Sequence, residues 1–174
     1  KVFFDADSIY HSALKFTYIN SKRKLELYRK RNSVSESPLI NTYHQITMDC
    51  ELLEWNIDED MIFFGSLPGT SISEIYIESA NNYLEAKYQQ LQGMDKIHPL
   101  ILIRNYIKDK GEEVFFVEDF ARFSSYPLSQ IQHYLTNLSN KGFVYYDYGE
   151  QRIRVLTKLH NYLKAKSGKG DYDV

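Results

Sequence analysis

Apolar and polar residues alternate in short runs through the first eighty residues. Leu14, Phe16 and Tyr18 alternate with polar neighbours, and residues 24–29 repeat the pattern after the polar residues 20–23. Alternation with a period of two predicts strands with one buried face, and a polar turn between two such strands predicts a β-hairpin. Further runs follow at intervals of roughly ten residues, which is the spacing of an antiparallel sheet. Residues 1–80 are therefore expected to form an antiparallel β-hairpin meander.

A longer apolar run changes phase between residues 46 and 57. The apolar side chains of its first half share one strand face and are Ile46, Met48, Cys50 and Leu52. From Leu53 onward, the apolar positions move to the odd-numbered residues. A slip of one residue is typical of a β-bulge, so we expect one strand with a bulge near Leu52.

The second half of the chain changes from strand to helix periodicity. The pattern over residues 98–166 predicts a helix, a short strand, a helix, a tight turn, a helix, a two-stranded hairpin and a final helix. Its clearest helical stripe has the spacing i, i+3, i+7, i+10 and consists of Leu128, Ile131, Leu135 and Leu138. Together with the β half, this order predicts an α+β fold.

The predicted elements divide the chain into four parts. Residues 1–80 form the meander, 81–94 a linking helix, 95–166 the helical domain with its hairpin, and 167–174 a tail or the start of a further strand. The sequence begins with Lys1 rather than Met, so we expect an internal segment of a larger protein.

The element order over residues 95–166 resembles the winged-helix family. The phrase Leu138-Ser139-Asn140-Lys141-Gly142-Phe143-Val144 resembles the passage from helix to wing in that family. The resemblance implies that the helix 127–140 enters the DNA major groove in members that bind nucleic acid. The implied base contacts are Gln130, Gln132, His133 and Asn137, and the implied phosphate contacts are Lys141, Arg152 and Arg154. Tyr146 and Tyr148 on the wing suit a contact with another protein at least as well.

The distribution of charge favours a protein partner over nucleic acid. The chain has a formal net charge of −2 and a pI near 6.2. Residues 1–94 hold 9 Lys+Arg against 13 Asp+Glu, and residues 95–174 hold 12 against 10. Phosphate contacts supply most of the affinity for nucleic acid, yet the helix 127–140 has no Lys or Arg and the wing carries Asp147 and Glu150. We therefore expect a structural or protein-interaction segment, with a nucleic-acid-binding regulator as the alternative.

A second resemblance concerns the whole chain, which is similar to internal segments of long uncharacterised cell-envelope proteins of Bacteroidetes-type bacteria. This resemblance implies a place in the cell envelope and partners in the rest of the parent chain or in another protein. A nucleic-acid-binding regulator would instead be cytoplasmic. The sequence has no apolar run of the roughly 20 residues that a membrane-spanning helix needs.

Catalytic and metal-binding patterns are weakly represented. Asp5 and Asp7 follow a short apolar run, as in the nucleophile strand of Mg²⁺-dependent phosphatases, but hairpin patterns follow them rather than alternating strands and helices. The five histidines never occur at i, i+4, so they form no helical zinc pair, and Cys50 lies on an apolar strand face. We expect no enzyme activity, metal or cofactor, and keep a metal-dependent hydrolase as the third alternative.

Overall fold

The structure, a computed structural model, describes residues 1–29, 36–67, 74–92 and 97–169. The chain divides into two compact units, Lys1–Glu78 and Ser79–Val174. The division follows the change from strand to helix periodicity in the sequence. The α+β class is confirmed, with antiparallel hairpins in the first part and helices in the second. Residues 170–174, which include most of the predicted tail, lie outside the described part of the chain.

The first unit consists of short strands in two sheets. They are β1 (Val2–Phe4), β2 (Asp7–Tyr10), β3 (Leu14–Ile19), β4 (Lys24–Arg29), β5 (Leu39–Asn41), β6 (Ile46–Asp49), β7 (Leu52–Asn56), β8 (Ile62–Gly65) and β9 (Tyr76–Ser79), whose last residue opens the second unit. Sheet A has the strand order β1-β2-β5-β6-β9, and sheet B has the order β3-β4-β7-β8. The predicted hairpin is confirmed as β3–β4, in which Arg23 closes the turn with a φ of 47°.

The two sheets share one apolar core. Sheet A contributes Ile9, Leu39 and Met48, and sheet B contributes Leu25, Leu27 and Leu53, with Cys50 between them. Each of these side chains is at most 4% exposed. Burial raises the pKa of the Cys50 thiol to about 12, so the thiol stays protonated and behaves as a small apolar group.

The expected bulge near Leu52 is wrong. Residues 46–57 form two strands, β6 in sheet A and β7 in sheet B, and the chain passes between the sheets at Cys50 and Glu51. The apolar positions change phase because each sheet must turn its own inner face to the shared core. Glu51 holds this passage, since its carboxylate accepts from the Leu67 amide at 3.0 Å and its carbonyl accepts from the Arg29 amide at 2.9 Å.

The second unit contains five helices and a three-stranded sheet within the described residues. They are α1 (Glu85–Gln92), α2 (Pro99–Lys110), β10 (Val114–Phe116), α3 (Val117–Ser124), α4 (Leu128–Asn140), β11 (Val144–Asp147), β12 (Arg152–Val155) and α5 (Thr157–Lys166). Sheet C has the antiparallel order β10-β12-β11. The predicted order of helices and strands is confirmed, and β10 adds a third strand to the predicted hairpin.

One apolar core holds these elements together. Ile131, Leu135 and Leu138 of α4 are at most 2% exposed, as the helical stripe predicts, whereas Leu128 in the first turn is 41% exposed. Tyr106 of α2 lies at the centre of an aromatic cluster. Its ring centroid is 4.6 Å from that of Phe115, 5.1 Å from that of Phe123 and 5.5 Å from that of Phe120.

The helix predicted as a connection between domains packs into this second core. Tyr88 and Leu91 of α1 are buried there together with Tyr83. Lys166 of α5 donates to Glu85 at 2.5 Å, and Asn161 donates to the Ala80 carbonyl at 3.3 Å. The Lys166 ammonium, with the Tyr83 hydroxyl, lowers the pKa of Glu85 to about 2.

Two buried histidines act as neutral hydrogen-bonding groups, one in each unit. His98 is the N-cap of α2: its Nδ1 accepts from the Leu100 amide at 3.2 Å and its Nε2 donates to the Tyr88 carbonyl at 2.8 Å. His11 uses the same arrangement, accepting from Ala13 at 2.9 Å and donating to the Ser37 carbonyl at 2.7 Å. Burial lowers the pKa of both imidazoles below 6.5.

Acidification should therefore destabilise both units. The unfolded chain binds protons as the pH falls through 6.5, whereas the folded histidines stay neutral to a lower pH. The free energy of unfolding should be insensitive to these two groups above neutrality and fall with pH below it. Far-UV circular dichroism reports the helices of the second unit, and the fluorescence of Trp55, the single tryptophan, reports the first.

His98→Asn is the matched control for this prediction. Asn is a good N-cap but does not titrate, so the variant should lose part of the acid sensitivity seen by circular dichroism and keep that seen by Trp55 fluorescence. An acid sensitivity unchanged in both signals, or a wild-type stability that rises on acidification from about pH 7 to about pH 5, would contradict the assignment.

Candidate interaction surface of the second unit

The side of α4 opposite its buried stripe is open to solvent. Gln130, His133 and Asn137 are exposed and have the spacing i, i+3, i+7, so they lie on one face, with Ser129 beside them. None of the thirteen residues of α4 is Lys, Arg, Asp or Glu. This face therefore offers hydrogen-bond donors and acceptors but no formal charge. The structure brings these three predicted contact residues together, as the helical pattern required.

Gln132 and Lys141 are less available than their predicted roles require. Gln132 is half-buried and its side-chain amide donates to the side-chain oxygen Oε1 of Gln151 at 3.2 Å. Lys141 is also half-buried, and its backbone carbonyl accepts from the Lys158 ammonium at 3.1 Å. Lys158 is itself only 4% exposed and lies 5.2 Å from the centroid of the Phe143 ring.

The turn between β11 and β12, which we call the wing, lies beside α4. Asp147 accepts from the amides of Gly149 and Glu150 at 3.0 and 3.1 Å, which fixes the first half of the turn. Gln151 closes it with a φ of 51°, a left-handed conformation that non-glycine residues rarely adopt. The side-chain amide of Gln151 donates to the Tyr148 carbonyl at 2.7 Å.

Gln151 also ties the wing to α4 and to the core. Its side-chain oxygen accepts from the Tyr146 hydroxyl at 2.8 Å as well as from Gln132. Its backbone carbonyl accepts from the Val117 amide at 3.0 Å, at the start of α3. One residue therefore sets the position of the wing relative to two helices. No sequence signal pointed to it, because Gly149 is the residue of this turn that ordinarily takes positive φ.

The predicted contact role of Tyr146 is wrong. Its side chain is 1% exposed, because the alternation along β11 turns Val144 and Tyr146 to the core. Tyr148 is half-buried and stacks on Tyr146, with ring centroids 4.1 Å apart and planes inclined by 21°. Among the described residues, its enclosed hydroxyl oxygen has no hydrogen-bond partner, so Tyr148 offers a partner only part of its ring.

The two wing arginines are exposed, but one of them lies beside a carboxylate. Arg152 lies 3.5 Å from the Glu150 carboxylate and over the Phe116 ring, at 5.4 Å from its centroid. Arg154 is exposed and lies opposite Tyr145 in the β11–β12 ladder. Phosphate binding by Arg152 would compete with its neighbouring carboxylate.

A cleft of about 300 Å³ opens where the wing meets α3. Its lining residues are Phe116, Glu118, Asp119, Arg122, Glu150 and Gln151. Arg122 pairs with Asp119 at 2.6 Å and Arg152 lies 3.5 Å from Glu150, so the excess of negative charge in the cleft is that of Glu118. Phe116 was not among the predicted contact residues, although the alternation in β10 buries Phe115 and leaves Phe116 49% exposed.

The residues of the hydrolase alternative lie in the β1–β2 hairpin, Asp5 in its turn and Asp7 at the start of β2. Asp5 adopts a φ of 52° in the turn between β1 and β2, and Asp7 accepts from the Thr42 hydroxyl at 2.8 Å. In the part of the chain that the structure describes, no three His, Cys, Asp or Glu side chains are grouped so as to hold a metal ion. None of the described helices has both the length and the hydropathy needed to cross a bilayer.

Comparison of this chain with models of protein families, with curated proteins and with solved structures finds no match. The function must therefore be inferred from the geometry of the surface itself.

Replacement of Gln151 by Ala should loosen the wing. The variant loses the hydrogen bonds to Gln132, Tyr146 and Tyr148 and leaves the buried Tyr146 hydroxyl without its acceptor. We expect a loss of about 1–3 kcal/mol in the free energy of unfolding, measured by denaturant titration with circular dichroism.

Glu150→Ala in the same turn is the control, because its exposed side chain should change stability by no more than about 0.5 kcal/mol. Equal effects of the two substitutions would show that Gln151 does not hold the wing in place.

Proposed function

We propose that the second unit is a non-catalytic, winged-helix-like module that binds another protein segment, within a larger structural protein. The order α2-β10-α3-α4-β11-β12 supports the resemblance to winged helices. In that arrangement α4 corresponds to the helix that faces the partner, and the β11–β12 turn corresponds to the wing. The resemblance of the whole chain to segments of cell-envelope proteins fits a structural role.

The absence of charge from α4 is the single observation that carries this proposal. Nucleic-acid binders gain most of their affinity from Lys and Arg contacts to phosphate. Here the exposed face formed by Gln130, His133 and Asn137 is neutral, and the cleft beside the wing is acidic. A duplex that approached α4 would gain little from the helix and would meet repulsion from Glu118 in the cleft.

The same surface suits a protein partner. Interfaces between proteins are enriched in aromatic residues and arginine and depleted of charge at the centre. Phe116 and Arg152 stack at the rim of the acidic cleft, and Gln151, which also lines the cleft, accepts a hydrogen bond from Gln132 of α4. A partner segment with a basic side chain for the cleft and polar groups for α4 matches this arrangement.

A nucleic-acid-binding function is the second candidate, and one observation favours it. Gln130, His133 and Asn137 are exposed on one helical face, and Gln and Asn pair bidentately with adenine. Of the implied phosphate contacts, only Arg154 is exposed without a neighbouring carboxylate among the described contacts. The first candidate therefore has the stronger support.

A site-specific photocrosslinker at position 133 tests the proposal in cells that express the protein. We expect crosslinking to one defined protein, because His133 is at the centre of the exposed face of α4. Position 105 is the matched control, since Asn105 is equally exposed but belongs to a different helix, α2. Crosslinking to nucleic acid at position 133, or the same protein products at both positions, would contradict the proposal.

A further inference from the structure

The first unit is built from a repeat of two hairpins. β1, β5 and β9 begin at Val2, Leu39 and Tyr76, so successive starts are 37 residues apart. β3 and β7 begin at Leu14 and Leu52, and the next pair, β4 and β8, keeps the same separation of 38 residues. Each repeat gives one hairpin to sheet A and the next to sheet B. Two repeats are complete, and β9 provides the first strand of a third.

The junction between the two repeats in sheet B is the antiparallel ladder of β4 and β7. Leu27 lies opposite Leu53 and Leu25 lies opposite Trp55 on the core face. Ion pairs also link the two repeats. At the β4–β7 junction Arg23 pairs with Asp58 at 2.8 Å and Lys24 with Glu54 at 2.6 Å, and Arg29 of β4 pairs with Asp49 of β6 at 2.5 Å. In each pair the base belongs to the first repeat and the acid to the second.

This division of charge extends over the whole of both repeats. Residues 2–38 contain seven Lys+Arg and four Asp+Glu, whereas residues 39–75 contain seven Asp+Glu and neither Lys nor Arg. The turn of the β3–β4 hairpin carries Lys22 and Arg23, and the equivalent turn of the β7–β8 hairpin carries Asp58, Glu59 and Asp60. The first repeat therefore carries a net positive charge and the second a net negative charge.

Sheet B is open at both ends within the described residues. β3 pairs only with β4, and β8 pairs only with β7. On the core-facing side of β3, Phe16 is 57% exposed and Tyr18 is 42% exposed, although both continue the apolar rows of the sheet. Edge strands with uncovered apolar side chains are sites where another strand can add to a sheet.

We propose that a second copy of this chain adds to sheet B head to tail, its β3 pairing with β8 of the first copy. The spacing of the repeat fixes the register, which places Phe64 opposite Phe16 of the second copy and Ile62 opposite its Tyr18. The acidic turn 58–60 then lies beside the basic turn 20–23 of the second copy. This contact reproduces the β4–β7 junction, which is why we assign it to a copy of the same chain.

In sheet A, the third repeat is already begun by β9, which lies beside β6. The first strand of the incoming copy belongs in that same position. In the second copy, β1 has only three residues and pairs with β2 alone. It is therefore displaced, and β9 of the first copy pairs with β2 of the second. On assembly the second copy therefore replaces its β1–β2 pairing by a β9–β2 pairing, and the two copies gain the β8–β3 ladder. The contact is heterologous, so it leaves one free edge at each end of a dimer.

This inference concerns the first unit and does not depend on the proposed function of the second. Sedimentation velocity over a concentration series of the full chain tests it. We expect self-association that weakens by about tenfold or more when salt is raised from about 50 mM to about 500 mM, because opposite charges face each other across the contact. A chain that stays monomeric at about 200 µM and low salt would overturn the proposal.

Phe16→Lys is the test variant, and Tyr43→Lys in the β5–β6 turn is its matched control. Both positions are more than half exposed, at 57% and 65%, so both variants should fold. Phe16→Lys should weaken association by about tenfold or more, because the lysine would be buried without a partner opposite Phe64. Tyr43→Lys should associate as the unchanged chain does. Equal association of the two variants would overturn the assignment of the contact to β3.

Amide hydrogen exchange measured at low and high concentration separates this contact from any other. Association should protect β3 and β8 and should accelerate exchange in β1. Protection confined to α4 or the wing would show that the copies meet through the second unit, and the proposed pairing would fall while the proposed function stood.

Discussion

The burial of one side of α4 determines what the second unit can present to a partner. Ile131, Leu135 and Leu138 are essentially inaccessible to solvent, and their removal from the core would cost several kilocalories per mole. With that side fixed, Gln130 and His133 point away from the core by helical geometry alone. Gln151 then sets the wing against the same helix through its bond to Gln132. The composition of the exposed surface follows from these two constraints.

The sequence predicted this helix well and the wing less well, for a physical reason. A stripe with the spacing i, i+3, i+7 has one arrangement that buries it, so the exposed residues of α4 follow directly. In β11 both faces carry tyrosine, at 145 and 146, so alternation alone does not show which ring is buried. The role of Gln151 depends on a left-handed backbone conformation and on contacts 5 and 19 residues away in the chain. Neither leaves a pattern in the sequence.

In the first unit, too, the periodicity of the sequence predicted part of the structure and missed another part. Alternation identified the hairpins, because each strand has one face in the core and one outside. It did not show that successive hairpins belong to different sheets, since either sheet can cover the same apolar face. The phase change near Leu52 was the relevant signal, and a passage between sheets explains it better than a bulge. The separation of basic and acidic repeats adds specificity to a junction that apolar pairs stabilise.

The two units use charge in opposite ways. The first concentrates bases in one repeat and acids in the next, whereas the second keeps its prominent helix neutral. The claim that this helix binds protein rather than nucleic acid is tested most directly by fluorescence polarisation with labelled mixed-sequence duplex DNA. At about 50 mM salt we expect no saturable binding with up to about 50 µM protein. Saturable binding that falls steeply with salt and is abolished by His133→Ala would contradict the account.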